Sequence, residues 1–247
     1  MENFYVTCSS NLHLDKYNTN LPHHFITPLI KPMKLSTTEW QVGITEISYP
    51  TSYRNINDNE TRIRIFHEGL DIFDDHILAG LYTVRELIES INDMIKAAIG
   101  GELVHFSLHV NASKVLIIVN EGYELHINEY LSQKLGFKGY TIFNSSRLAK
   151  QCADLDIYNS CLYVNCNLIE ETYNNNAFIK LLRSIPITNK TPGQQESHIF
   201  TKPYYKDVKG SHINEIEFEL TSLDGVPFMF YTGTIIIVLH FKKKSKK

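Results

Sequence analysis

Histidine is the residue type in this sequence best able to do chemistry, with eleven copies beside four cysteines and 27 carboxylates. His105 and His109 are four apart, a spacing that on a helix would put both rings on one face. The segment Phe106-Ser107-Leu108-His109-Val110 alternates like a strand instead. There the two positions lie about 13 Å apart, too far for one metal ion with bonds of roughly 2 Å. His23-His24 is an adjacent pair whose rings diverge on a strand. His67-Glu68 opens like the H-E-x-x-H helix of a zinc protease, but Gly69, Leu70 and Asp71 follow and the second histidine is missing.

Other reactive patterns fail in the same way. The H-x-H pair through which jelly-roll cupins hold their metal does not occur, and neither does the phosphate loop G-x-x-x-x-G-K-S/T or the nucleophile elbow G-x-S-x-G. Asp74-Asp75 and Glu170-Glu171 are adjacent carboxylates that a strand would point in opposite directions, and they read as solvated charges. The cysteines, Cys8, Cys152, Cys161 and Cys166, are separated by 143, 8 and 4 residues, which matches neither a zinc knuckle nor a redox pair. They read as reduced, mostly buried thiols. The sequence therefore predicts a protein that is not an enzyme, with no catalytic residue, cofactor or metal site.

Charge offers a different kind of site. The net charge is −3, yet five of the last six residues are lysine: Lys242, Lys243, Lys244, Lys246 and Lys247. Without them, 19 basic residues face 27 acidic ones, a balance of −8. Such a cluster reads as a nucleic-acid contact, since lysines attract phosphate, as a nuclear address, or as a solvated terminus that keeps the protein soluble. Tyr204-Tyr205 among Lys202, Lys206 and Lys209 mixes rings and cations in a way that suits either single-stranded nucleic acid or a protein contact. The longest aliphatic run, Ile235-Ile236-Ile237-Val238-Leu239, is five residues, so no membrane span is expected. The N-terminus shows no secretory signal pattern, which predicts synthesis in the cytosol. Without a secretory route, the sequons at Asn59, Asn111, Asn144 and Asn189 carry no weight.

The elements that must position these residues are mostly strands. In Ile213-Asn214-Glu215-Ile216-Glu217-Phe218-Glu219-Leu220, apolar side chains face one way and glutamates the other, the pattern of a half-buried strand. Residues 40–45, 62–65 and 162–168 repeat it, and further strands are expected at 4–7, 25–30, 106–110, 115–119, 124–127 and 178–187. Residues 235–239 are apolar on both sides and predict a central strand covered on both faces, or one buried in an interface. Asp224-Gly225 and Thr191-Pro192-Gly193 supply turns. Ten or more short strands suit two packed antiparallel sheets.

One stretch departs from period two. Val84, Leu87, Ile88, Ile91, Met94, Ile95 and Ala98 recur at helical spacing after a Thr83/Glu86 capping box, and Gly100-Gly101 ends the run. A shorter helix is expected over 128–135, stopped by Gly136. The resulting reading is a mainly β chain: a jelly-roll sandwich over 1–79 and 140–241, an α/β insertion over 80–139 and a basic tail over 242–247.

Several strings resemble one family. Phe4-Tyr5-Val6-Thr7, Phe25-Ile26-Thr27, Leu29-Ile30-Lys31-Pro32-Met33-Lys34-Leu35 and the pattern E-W-x-V-G-x-x-E-I-x-Y-P from Glu39 to Pro50 are similar to the opening of the minor capsid (penton) proteins of Polinton/Maverick elements and related adintoviruses. Leu162 to Glu170, Leu181 to Pro186 and Ile216 to Phe241 extend the likeness in order along the chain. The resemblance implies a single jelly roll that forms homopentamers at the fivefold vertices of an icosahedral virion. The rest of that shell would be a double jelly-roll major capsid protein, with assembly in cytosol or nucleus. Such a ring needs a head-to-tail interface. Tyr49, Pro50, Tyr204 and Tyr205, aromatic or rigid residues at expected strand ends, are the candidate subunit contacts, and the lysine tail is the candidate DNA contact. The alternative is a jelly-roll glycan- or receptor-binding attachment protein.

Overall fold

The computed structural model describes residues 3–11, 19–58, 61–100, 103–174, 177–188, 191 and 193–244. In chain order the first strands are β1 (Asn3–Ser9), β2 (His24–Lys34) and β3 (Trp40–Pro50). Next come β4 (Arg62–His67), β5 (Leu70–His76), α1 (Val84–Ile99), β6 (Val104–His109), β7 (Lys114–Val119), β8 (Tyr123–Ile127), α2 (Glu129–Lys134), β9 (Ile142–Phe143) and β10 (Arg147–Leu148). The chain closes with β11 (Cys161–Cys166), β12 (Thr172–Asn174), β13 (Ala177–Ile179), β14 (Leu181–Pro186), β15 (Gln195–Ile199), β16 (Lys206–Asp207), β17 (His212–Thr221) and β18 (Ile236–Lys243). These elements form two compact units, residues 1–53 with 158–247, and residues 54–157.

The first unit is a jelly roll. One antiparallel sheet has the order β1-β18-β3-β15, with β16 also paired to β3, and the other has the order β14-β11-β17-β2. The chain crosses between the sheets at each step from β1 to β2, β3 and β11, and again from β14 to β15, β17 and β18, and the first and last long strands pair, which is the double Greek-key connectivity of this fold. The glutamate alternation of β17 does what its period requires: Ile216, Phe218 and Leu220 are fully buried while Glu215 and Glu219 are exposed. In the other sheet Val42, Ile44, Ile47, Ile237, Leu239 and Phe241 supply the buried row. β18 is central, between β1 and β3, as its composition suggests. Only one of its faces is fully buried, however, since Val238 and His240 are half-covered and Ile236 is 38% exposed. Residues 178–187 divide into β13 and β14 at Lys180, which turns the chain from the β12–β13 hairpin into the sheet.

The second unit packs α1 onto two small sheets, β10-β7-β6 and β5-β4-β8-β9. Thr83 and Glu86 form the expected capping box, and Leu87, Ile88, Ile91 and Ile95 enter a core shared with Phe106, Ile117 and Leu125. Asn92 locks helix to strand: its amide donates to the Phe106 carbonyl and its carbonyl accepts from the Phe106 N–H, both at 2.8 Å. The second helix begins after an Asn128 cap, as expected.

The unit boundaries differ from the expected 80–139 on both sides. β4 and β5 hydrogen-bond to each other and β4 to β8, so residues from 54 onward belong with the insertion. On the other side β9 pairs with β8 and β10 with β7, which carries the insertion to residue 157. It occupies a single connection of the roll, from β3 to β11. Expected as mostly buried, the cysteines divide: Cys8 and Cys166 are buried, their thiols pushed up to about 11 and about 12 by burial, whereas Cys152 is exposed and Cys161 half-buried. Among the described residues no group of three His, Cys, Asp or Glu could hold a metal, and no helix is long and apolar enough to cross a membrane.

Candidate assembly surfaces

A sandwich offers a neighbour two outer faces and two lateral sides, and each lateral side pairs an edge strand from one sheet with an edge strand from the other. Here β1 and β2 make one side, joined where the Cys8 thiol meets Thr27. β14 and β15 make the opposite side, joined where Arg183 of β14 lies over Phe200, the residue after β15.

Of the four candidate contact residues, the structure puts two inside. Tyr49 is fully buried; its hydroxyl is 3.2 Å from His198 Nε2, and burial followed by the charge of Glu196 pushes that hydroxyl well above its ordinary pKa. Pro50 is buried as well, against Gly233, where an added Cβ would lie 2.6 Å from the proline Cβ. Alternation on β3 and the pairing of Tyr49 with Glu196 on β15 turn the ring into the core, so Tyr49 and Pro50 are corrected to packing residues with nothing to offer a second copy.

Tyr204 and Tyr205 lie on the surface. Tyr204 is 69% exposed and half-buried Tyr205 crosses the outer face of the first sheet above Gly43. A Cβ at Gly43 would fall 2.8 Å from the Tyr204 carbonyl oxygen, so the glycine in the W-x-V-G string is what lets this segment lie flat. The Tyr205 hydroxyl bonds His240 Nδ1 at 2.8 Å, and Tyr5, 62% exposed, stacks on the same imidazole at 4.4 Å. Burial, then the charge of Lys242, pulls the His240 pKa below its ordinary value, and its Nε2 has no hydrogen-bond partner.

The lysine cluster is not a free tail over its described part. Lys242 and Lys243 are the last residues of β18. Lys242 Nζ lies 3.6 Å from the centre of the Tyr205 ring, Lys243 Nζ is 3.9 Å from Glu39, and Lys244 Nζ is 2.9 Å from Asp207. Expected as a basic tail, Lys242 and Lys243 are instead held in the sheet by the strand that runs through them, and Lys244, just past it, donates its backbone N–H to the Glu39 carbonyl; Lys246 and Lys247 lie outside the described residues.

Arg183 is the residue that reading the sequence missed. Its guanidinium sits between the Phe200 ring at 3.5 Å and the Tyr204 ring at 4.6 Å, and its Nε and Nη1 have no hydrogen-bond partner. Burial lowers its pKa. Beside it Ile199 is 75% exposed, and across the sandwich Ile30 on β2 is 97% exposed. A lone arginine in Leu181-Leu182-Arg183-Ser184 gives no signal; only its meeting with rings about twenty residues further on does. On the outer face of the second sheet Glu217 and Glu219 of β17, with Glu171 and Asp224, line a concavity of about 660 Å³ in which Lys180 is the one cation among the described residues, so its lining is acidic.

No family model and no curated protein matches the sequence. Solved structures do. The mavirus penton protein superposes with a TM-score of 0.53 at 11% identity, covering 98% of this chain and 100% of that one. The Sputnik virophage structure gives a TM-score of 0.49 at 14% identity, covering 99% and 98%. At these identities the mavirus likeness is one of fold, and it runs through the insertion as well as the roll.

Proposed function

We propose that this chain is a structural subunit of an icosahedral capsid that closes head to tail into a homopentamer at the fivefold vertices. The observation that carries the reading is the pair of unlike lateral sides. Ile199 and Tyr204 protrude from one, with the unsatisfied donors of Arg183 beside them, and Ile30 protrudes from the other. A ring needs such unlike, complementary sides on every copy, and no catalytic group. Pro28 and Pro32 remove backbone donors from edge strand β2, so side chains, not strand addition, would make the contact. The full-length likeness to a penton fold and the string resemblance point the same way, and they suggest a double jelly-roll major capsid protein as the second partner.

Native mass spectrometry and negative-stain imaging of the full chain, alone and co-expressed with such a capsid protein, test this. Fivefold rings are expected, and Ile199→Asp with Tyr204→Asp abolishes them while circular dichroism is unchanged. Rings that survive the double variant, or a chain that stays monomeric in both settings, overturn the reading. A DNA contact by the lysines rests on charge alone, three of the five being engaged within the fold. Truncation before Lys246 is then expected to lower genome retention with assembly intact, measured as DNA per particle.

A further inference from the structure

The insertion unit contains a second cation–aromatic cluster, built differently from the one on the roll. After α2 the chain turns through Gly136 and Gly139, both at positive φ, and the loop packs against residues 147–151. Gly136 has no alternative there, since an added Cβ would lie 2.3 Å from the Gln151 carbonyl oxygen. Ser132, fully buried, clamps the loop, its single hydroxyl proton within reach of the carbonyls of both Phe137 and Tyr140. Between the two segments lies a concavity of about 230 Å³ lined by Phe137, Lys138, Tyr140, Arg147, Leu148 and Lys150, with the two backbones completing it. The Arg147 guanidinium is 4.1 Å from the centre of the Tyr140 ring and Lys150 Nζ is 6.0 Å from it. No Asp or Glu lines the concavity.

We propose that this concavity binds a sugar carrying a single oxyanion, either a carboxylate or a phosphate ester. Lys138, Arg147 and Lys150 line one small concavity without a carboxylate and repel each other, and an anion relieves that repulsion. Half-exposed Leu148 and the part of Tyr140 that the guanidinium leaves open add apolar wall that suits a ligand with C–H surface, which free phosphate or sulfate lacks. The volume accommodates one small ring, not a polymer. Nucleic acid fits poorly for two reasons. The guanidinium covers a Tyr140 face on which a base would stack. Residues 54–157 also carry fifteen Asp and Glu against ten Lys and Arg, so the unit as a whole repels a polyanion.

The test is titration of the full chain, followed by amide chemical shifts, with N-acetylneuraminic acid, glucuronic acid and glucose 6-phosphate. Neutral glucose and a short single-stranded oligonucleotide serve as contrasts. At least one acidic sugar is expected to bind saturably with shifts confined to 136–151, and the carboxylate and phosphate arms identify which oxyanion is preferred. Arg147→Gln with Lys150→Gln weakens binding at least tenfold. Should that pair disturb folding, Lys138→Gln on the loop gives the same direction with a smaller loss. The proposal is overturned if no acidic sugar binds at tens of millimolar, if glucose binds as well as they do, or if the oligonucleotide moves these amides more strongly than any sugar.

Discussion

Two clusters of rings and cations, one on each unit, differ in shape, and the shape decides what each can meet. In the cluster on the roll Arg183 and Lys242 do not share a ring: Arg183 lies between Phe200 and Tyr204, and Lys242 lies over Tyr205. The cluster is spread over the outside of a sheet and its edge, and Tyr204 protrudes, 69% exposed. In the insertion Arg147 and Lys150 share Tyr140, and the ring lines a hollow. The same residue types therefore make a protrusion in one place and a recess in the other. Composition alone would not separate them, because the distinction comes from whether the backbone beneath is a strand or a glycine-hinged loop.

The strongest way to break the comparison is to remove the hinge. Gly136→Ala adds a Cβ that meets the Gln151 backbone, at a φ of 88° that side chains avoid. We expect a loss of about 2–4 kcal/mol from the insertion unit. Urea denaturation monitored by amide exchange in β6 and β7 should show it, with β17 and β18 protected as before. Gly43→Ala strikes the other cluster by lifting the Tyr204-Tyr205 segment. A loss of about 1–3 kcal/mol in the same assay, now in β3 and β18, is expected, together with weaker ring formation by native mass spectrometry.

Finer tests compare the cations with their rings. Tyr140→Leu and Tyr204→Leu keep apolar bulk but remove the attraction to the cation, at about 0.5–1 kcal/mol each. The comparison predicts that sugar affinity falls only in the first and assembly only in the second. Smallest is a pH effect. His240 is depressed in the folded state by burial and then by Lys242, so the unfolded chain binds more protons between the two pKa values. The stability tied to neutral His240 is complete above its unfolded value of about 6.5 and is lost as pH falls through the depressed folded value. Melting curves at pH 8 and pH 5 should show this loss in the wild type, with a smaller one in His240→Gln.

Much of the architecture is legible in the chain wherever one face of an element is buried and the other wet. The β17 glutamates and the Thr83-capped helix are read correctly because burial and period coincide there. β5 escapes notice because in Leu70-Asp71-Ile72-Phe73-Asp74-Asp75-His76 only Phe73 is buried, so no alternation exists to find. β15 escapes for a related reason: as an edge strand it buries no residue, and its composition is polar. The insertion boundaries follow from that omission, since it is pairing with β5 and β8 that assigns β4 to the second unit. Composition singles out Tyr204 and Tyr205, and both reach the surface, but Tyr49 needs strand parity to be seen as internal. Arg183 and the pocket around Tyr140 depend on meetings across the fold that no spacing encodes.

The insertion enters the roll after β3 and returns at β11, so a body of about a hundred residues hangs from one connection of the Greek key. No ladder of the sandwich is interrupted to admit it. That makes the junctions at residues 53 and 158 a natural docking port for engineering or for exchange between lineages. A different module could be spliced in there to present a new specificity, while the barrel-like chassis that carries it keeps its register and its flanks.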